Sequence, residues 1–528
     1  MSLKTSPRLP HYLGASWAVR LPHYLGAAAM IGKVKAAVTG LLGGSLPSKQ
    51  SALPAQCAPE KETPVVPIAK PQPPCRPPFL KLSPEEIQKS GDHNARMVLT
   101  LKTPGELHWG TGYAEVINAG KSHHNEDQAC CEFVAAEDTC KKYNSLPSDQ
   151  NLNTDLQTVC TVGDGVSFYY WALFDGHAGY GCALTASKLL HLHICNQLRD
   201  LEHILLQTTA APLCLDPDTK TRPENVLGTS THEKTNPPME TAVRYHLEKQ
   251  VFPESLVIGA LENAFKQMDT QIERERTSHS IEGGCCALVT VYLMGKLYVA
   301  NAGDSRAIII RQGKTIEMSH EFTPETERQR LQLLASLKPE LLGNEFTCLE
   351  FPRRIQQKEL KKRMLYRDHT MTGWAYKTIE EDDMKFPLIY GEGKKARVMA
   401  TIGVTRGFGD HDLKVYNSNI YIKPFLSCIP GVKVYDLVGC EHNADDVMVM
   451  GTDGLWDVIT DKEVADVIQR VFSSYGTEEP NRYNLAAQEL VLRTRGVRKE
   501  NSWRLPTGKL ASLDDISVFV IPLAGHER

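Results

Sequence analysis

Apolar positions along this chain fall into two patterns. Short runs rich in β-branched and aromatic residues, bounded by Gly, Asn or Asp, occur at Ala114–Asn118, Phe168–Phe174, Ala287–Leu293, Leu297–Ala300, Ala307–Arg311, Val447–Gly451 and Ile516–Ile521. Such runs predict strands. A second pattern, with helical spacing, predicts helices over Gly181–Gln197, Glu254–Arg276, Thr326–Leu337, Lys462–Phe472 and Asn484–Arg495. Thr460 or Asp461 is placed to cap the fourth of these. Two polar stretches, about 136–167 and 200–246, are rich in Asn, Thr, Pro and Asp and read as surface insertions.

The first 80 residues or so show neither pattern. They are basic, with prolines clustered from Pro54 to Pro78, and are expected to form a disordered or polyproline-like tail. The tail contains one perfect repeat, RLPHYLGA, at Arg8–Ala15 and Arg20–Ala27. One repeat does not make a solenoid. Farther on, Ile31, Val34, Val38, Leu41 and Leu42 share one face of a possible helix near 31–43, with Lys33 and Lys35 elsewhere. A short basic amphipathic helix suits an anionic membrane surface. The alternatives are a weakly ordered tail segment or a helix that docks on its own domain. The expected organisation is therefore a tail over 1–80 and one catalytic domain over 81–528.

Composition narrows the class. The chain has 528 residues, 41% hydrophobic and 23% charged, which are ordinary globular values. No run of about 18 apolar residues is present. A net charge of −4 argues against a general nucleic-acid binder. The 14 cysteines include no CxxC pair, and Cys130-Cys131 and Cys285-Cys286 are adjacent. Free thiols in a reducing compartment, the cytoplasm, fit better than a disulfide framework.

Carboxylates recur beside the strand-like runs. Asn125-Glu126-Asp127 closes one candidate strand region. Asp175-Gly176-His177 follows another, and Asp304 lies between two. Asp453 and Asp457 follow Val447–Gly451, and Asp514-Asp515 precede Ile516–Ile521. One acid in a turn means little. Five such placements suggest convergence, and converging carboxylates repel unless cations sit among them. Oxygen-only ligands suit Mg²⁺ or Mn²⁺, and a pair of such ions activates water and clamps a phosphoryl group.

The ordered set NED, FDGHAG, NAGDSRA, TRGFGD, GTDGLWDV and DDISV resembles the metal-dependent protein serine/threonine phosphatase (type 2C, PPM) family, from about Gly112 to Leu523. GYAEVINAGKSHHNEDQA, EFTPETERQRLQ, EFPRR, MTGWAYK and GEGKKARVMATIGVTRG resemble its H/J/M branch, most of all the J member. The resemblance implies an α+β fold, an αββα sandwich of two antiparallel sheets flanked by helices. It implies hydrolysis of phosphoserine or phosphothreonine on proteins by a metal-bound hydroxide. Asp175 would bridge two Mg²⁺ or Mn²⁺ ions. Asp453 and Asp514 would complete one site, and Glu126 with the Gly176 carbonyl the other. Asp127 would stand just behind them. Asp304 and Asp457, with Asp453, match a weaker third site. His177 matches the general acid.

Two positions depart from the family pattern. Ser122 stands where an arginine often grips the phosphate, which leaves Lys121 beside it, another basic residue or the metals for that task. Asp515 stands where an amide is common. A long segment, about 319–397, corresponds to a flap beside the active site and carries Phe351, Tyr366, Trp374, Tyr376 and Tyr390 among basic residues. It reads either as a docking surface for a phosphoprotein or as a flap packed by its own aromatics. Two rival functions are open at this point. One is a scaffold of the same fold that binds phosphoproteins without turnover. The other is a cysteine phosphatase built on Cys348…Arg354, whose loop lacks glycine and contains Pro352 and Glu350.

Overall fold

The computed structural model describes residues 76–122, 124–135, 166–205, 250–500 and 502–524. The helix near 31–43, most of the tail and most of both insertions lie outside the described residues. Eleven strands form the frame, with a two-residue addition. They are β1 (Leu99–Thr100), β2 (Gly112–Val116), β3 (Gln128–Ala135), β4 (Ser167–His177), β5 (Gly284–Leu293) and β6 (Lys296–Ala302). Then follow β7 (Arg306–Arg311), β8 (Lys314–Glu317), β9 (Gly431–Asp436), β10 (Val447–Gly451) and β11 (Ile516–Pro522). One sheet has the order β1-β2-β11-β10-β7-β8 and the other β9-β6-β5-β4-β3, with Phe408–Gly409 also paired to β5. Every neighbouring pair in both sheets is antiparallel.

Side-chain alternation builds three apolar layers from these two sheets. Along β4, Trp171 and Leu173 face Leu288, Val299, Met448 and Phe519 between the sheets. Phe168, Tyr170, Ala172 and Phe174 face the opposite way, onto α1 (Gly181–Arg199) and α2 (Pro253–His279). On the other sheet, Val447, Val449, Val518 and Val520 pack outward against α4 (Asp461–Ser474) and α5 (Arg482–Arg495). The result is the expected αββα sandwich. Trp171 is fully buried at its centre, and its indole N–H donates to Thr111 Oγ1 at 3.1 Å. Truncating such a side chain costs about 3–5 kcal/mol. At the start of α4, Thr460 and Glu463 form a reciprocal capping box.

The structure corrects several expectations. Residues read as tail belong to the fold: Leu80 is fully buried, and the Arg76 guanidinium pairs with buried Glu115. Glu126 and Asp127 do not close a strand but lead into β3, whose Gln-Ala-Cys-Cys-Glu sequence carries a weak strand signal. Strand β4 does not stop at Phe174. It runs through Asp175 and Gly176 to His177, which pair with Cys286, Cys285 and Gly284 of β5. The flap is also larger than expected. Its own apolar cluster joins Leu331 and Ala335 of α3 (Arg328–Leu337) to Phe346, Leu388 and Val398, and extends to Ile420, Ile422 and Phe425.

Candidate active site

Each carboxylate reaches the site by a different element. Strand β4 delivers Asp175 at its end. The turn between β6 and β7 delivers Asp304, and Asn301 Nδ2 shapes that turn by donating to the carbonyls of Gly303, Ser305 and His320. The one-turn helix Asp453–Trp456 after β10 carries Asp453, whose backbone N–H donates to Asp175 Oδ2 at 3.3 Å. Oxygens of Asp175, Asp304 and Asp453 all lie within 4.8 Å of one another. They face an open cleft of about 420 Å³ that Lys121, His177, Asp457 and Asp514 also line.

Two glycines make this approach possible. A Cβ on Gly176 would lie 2.3 Å from the Glu126 carbonyl oxygen, so only glycine lets the strand and the Glu126 loop come this close. A Cβ on Gly454 would lie 2.0 Å from the Asp515 carbonyl oxygen. Glu126 itself accepts from the Gly179 backbone N–H at 2.8 Å.

The electrostatics are those of a cluster assembled for cations. Burial, and then the neighbouring carboxylates, push Asp175 and Asp453 well above the usual carboxylate range. Burial raises Asp304 and Glu126 as well. Asp453 Oδ1 is buried and has no hydrogen-bond partner. An ionised oxygen left so is costly unless a ligand meets it. An all-oxygen donor set with one unmet buried oxygen fits Mg²⁺ or Mn²⁺.

The remaining site residues take distinct places. Lys121 Nζ contacts Asp514 Oδ2 at 2.5 Å. Burial works against its charge, but Asp514, Asp453 and Asp175 together hold its ammonium more firmly protonated than usual. Asp457 is engaged by a flap residue, Lys394 Nζ, at 2.5 Å. Asp304 accepts from the Cys286 thiol at 3.3 Å. Asp127 is 1% exposed and does not line the cleft. It accepts from Thr452 Oγ1 and Ser517 Oγ, each at 2.9 Å, and so ties β10 and β11 to the start of β3. It is a bracket behind the carboxylates that line the cleft. Asp515 is a second bracket: it accepts from the backbone N–H groups of Asn118 at 2.8 Å and Glu126 at 3.2 Å.

Sequence reasoning passed over three residues here. Asp410 bonds His177, and its only signal was the last letter of the TRGFGD motif. Lys394 was one of many flap cations. Arg495, buried in α5, donates to the carbonyls of Ser512, Ile117 and Asp514, with no signal in the sequence.

The cysteine-phosphatase reading fails on the same geometry. Cys348 lies in the flap, and burial raises its thiol. Arg354 is stacked on Phe386 at 4.1 Å.

The family profile described as Protein phosphatase 2C matches residues 223–363 and 379–502. Protein phosphatase 1H of Xenopus tropicalis is 59% identical over 476 residues, covering 86% of this chain and 92% of that protein. The chain belongs to the protein phosphatase 2C family. Human relatives of two kinds match at similar levels. Protein phosphatase 1H is 56% identical, covering 85% of this chain and 90% of that protein. Protein phosphatase 1J is 58% identical, covering 85% and 86%. This phosphatase therefore falls in the H/J branch. Its activity is that of a serine/threonine protein phosphatase, and the family as a whole depends on divalent metal.

Proposed function

We propose that this phosphatase hydrolyses phosphoserine and phosphothreonine at a binuclear Mg²⁺ or Mn²⁺ centre, with the roles divided as follows. Asp175 would be shared by the two ions. Asp453 and Asp514 would help hold one, and Glu126 with the Gly176 carbonyl the other. Asp304 and Asp457, with Asp453, would hold a third, weaker one in competition with Lys394. Bound there, the ions supply Lewis acidity and lower the pKa of coordinated water.

The protein's own groups do the rest. Lys121, at the mouth of the cleft, offers a positive charge to the incoming phosphate in place of the arginine that Ser122 replaces. The P–O bond to the serine or threonine breaks, and the departing oxygen keeps its electron pair. His177 passes that oxygen a proton, while water supplies the new oxygen to the phosphate. Burial alone would lower the imidazole's affinity for a proton, but the hydrogen bond and charge of Asp410 outweigh it and raise His177 above its ordinary value. The imidazole therefore holds its proton more firmly than a free histidine does.

The flap carries the docking part of the proposal. Tyr376 and Tyr390 are each 59% exposed, and Arg363 and Arg367 lie over Tyr376 and Trp374 at 5.6 and 4.6 Å. An exposed aromatic and basic face on the flap suits a phosphoprotein.

The observation that carries the reading is the convergence of Asp175, Asp304 and Asp453 with one buried oxygen unmet. The test is phosphate release from a phosphothreonine peptide with Mn²⁺, with EDTA and with Asp453→Ala. Turnover that needs metal and is lost in the variant supports the proposal. Turnover that survives both treatments ends it.

A further inference from the structure

We propose that Asp410 is the positioning residue for His177, and that α2 grips Asp410 from both sides to hold it there. The inference rests on the reading of His177 as the proton donor and adds how the chain fixes that imidazole.

His177 Nε2 meets Asp410 Oδ2 at 2.7 Å, and the Asp410 side chain is only 4% exposed. The contact fixes the ring and commits one of its two nitrogens. Nδ1 is left as the nitrogen able to serve a leaving group. Room for the pair comes from Gly284, opposite His177 on β5. A Cβ there would lie 2.3 Å from Asp410 Oδ2 and 2.8 Å from His177 Nε2. Any larger residue would break the contact.

Asp410 is itself held in an unfavourable backbone conformation, at φ +56°. Its flanks show what holds it. On one side the Gly409 N–H donates to Asp269 Oδ1 of α2 at 2.9 Å. On the other side His411 Nε2 approaches the same oxygen at 3.2 Å. Lys423 closes the ring, donating to Asp269 at 2.9 Å and to the Gly409 carbonyl at 2.8 Å. The Asp410 N–H donates to the Gly283 carbonyl at 3.0 Å. Gly409, Asp410 and His411 lie outside the sandwich's apolar layers apart from the two-residue pairing of Phe408–Gly409 to β5. A buried carboxylate, a lysine and a strained turn thus converge on placing one carboxylate against one imidazole. Strain concentrated this way marks function.

The experiment compares two leaving groups. Threonine's alkoxide needs a proton to depart, whereas p-nitrophenolate does not. Asp410→Ala, Asp410→Asn and His177→Ala are assayed on a phosphothreonine peptide and on p-nitrophenyl phosphate, with Mn²⁺ affinity measured by calorimetry. Asp410→Ala is expected to lower kcat on the peptide by roughly 10- to 100-fold. The loss on p-nitrophenyl phosphate should be at least about tenfold smaller, with Mn²⁺ affinity kept. Asp410→Asn, which retains an acceptor oxygen, should fall between Asp410→Ala and the unaltered enzyme. Adding Asp410→Ala to His177→Ala should cost little more, because both changes disable one unit. If His177→Ala spares the peptide reaction, the proton-donor reading falls and this inference with it. If His177→Ala shows the leaving-group split and Asp410→Ala does not, the inference alone falls. Equal loss on both substrates, or weakened Mn²⁺ binding, would also overturn it.

Discussion

Lys121 and Asp514 meet at 2.5 Å across 393 residues of sequence. The ammonium is thus held at the mouth of the carboxylate cluster, where an incoming phosphate would arrive. The pair is partly open to solvent, with Lys121 55% and Asp514 28% exposed, and contributes little stability. Lys121→Met is therefore expected to leave Tm nearly unchanged. A charge-assisted contact to phosphate is worth about 1.5–3 kcal/mol, so KM for a phosphothreonine peptide should rise roughly 10- to 100-fold. Lys121→Arg should recover most of that. A KM that does not move in the methionine variant would remove Lys121 from substrate binding.

Gly176→Ala adds one methyl group where the Glu126 carbonyl already stands. Either β4 or the Glu126 loop must retreat, at a cost of about 1–3 kcal/mol. The shift falls on two groups proposed to share one ion. Mn²⁺ titration should show one of two sites weakened, with the other retained. Equal affinity at both sites would mean that the carbonyl's position does not matter.

Stability should fall with rising pH without metal and lose that dependence when metal is bound. Asp175, Asp453, Asp127 and Asp304 are held above the ordinary carboxylate range by burial and mutual repulsion. Their folded-state affinity for protons exceeds that of the unfolded chain, whose carboxylates titrate near about 4. Their stabilisation is full below that value and is lost as pH rises through the raised ones. Asp269 and Glu327, held low by cationic partners, act at the acid end and do not oppose this trend above it. In EDTA, Tm should fall as pH rises from about 5 to 7.5. Saturating Mg²⁺ should remove the decline. A metal-free Tm that climbs over that range would contradict the cluster's electrostatics.

Asp127 and Asp453 should separate by what each variant loses. Asp127→Ala leaves the hydroxyls of Thr452 and Ser517 without an acceptor in a closed space, a loss of about 2–4 kcal/mol. Denaturant unfolding in EDTA should show it. Asp453→Ala removes one of several repelling charges, and the metal-free protein should be as stable as before or more so. Its turnover should nevertheless fall by at least about 100-fold. The reverse assignment would exchange the bracket and the ligand.

The sandwich was legible because its central strands are buried on both faces and read as unbroken apolar runs, as in Val447–Gly451 and Ile516–Ile521. Edge strands were not. β8 is exposed along its length, and β9 is half-buried with lysine and aspartate in it, so neither leaves an apolar run to find. Acidic residues of the site could be named from their motifs, but the contacts that hold each of them could not. Asp127 is adjacent to Glu126 in sequence yet takes other partners, the hydroxyls of Thr452 and Ser517 rather than the Gly179 N–H. Contacts such as Lys394 with Asp457 or Asp410 with His177 join segments 63 and 233 residues apart. No local pattern encodes them.

Strand β11 lies between β2 and β10, although its first residue, Ile516, follows Val116, the last of β2, by 400 positions. A ribosome therefore releases β2 long before its sheet partner exists. Until then both neighbours carry open hydrogen-bonding edges, which are the surfaces that chaperones shield and aggregates exploit. Asp514 and Asp515 arrive with the same strand. Closing the sheet and completing the acidic cleft are thus one event, and a nascent chain that stops short of Asp514 has neither. With Asp514 in its proposed place as a metal ligand, a chain ending before it is expected to fold with an open sheet edge and to show no turnover.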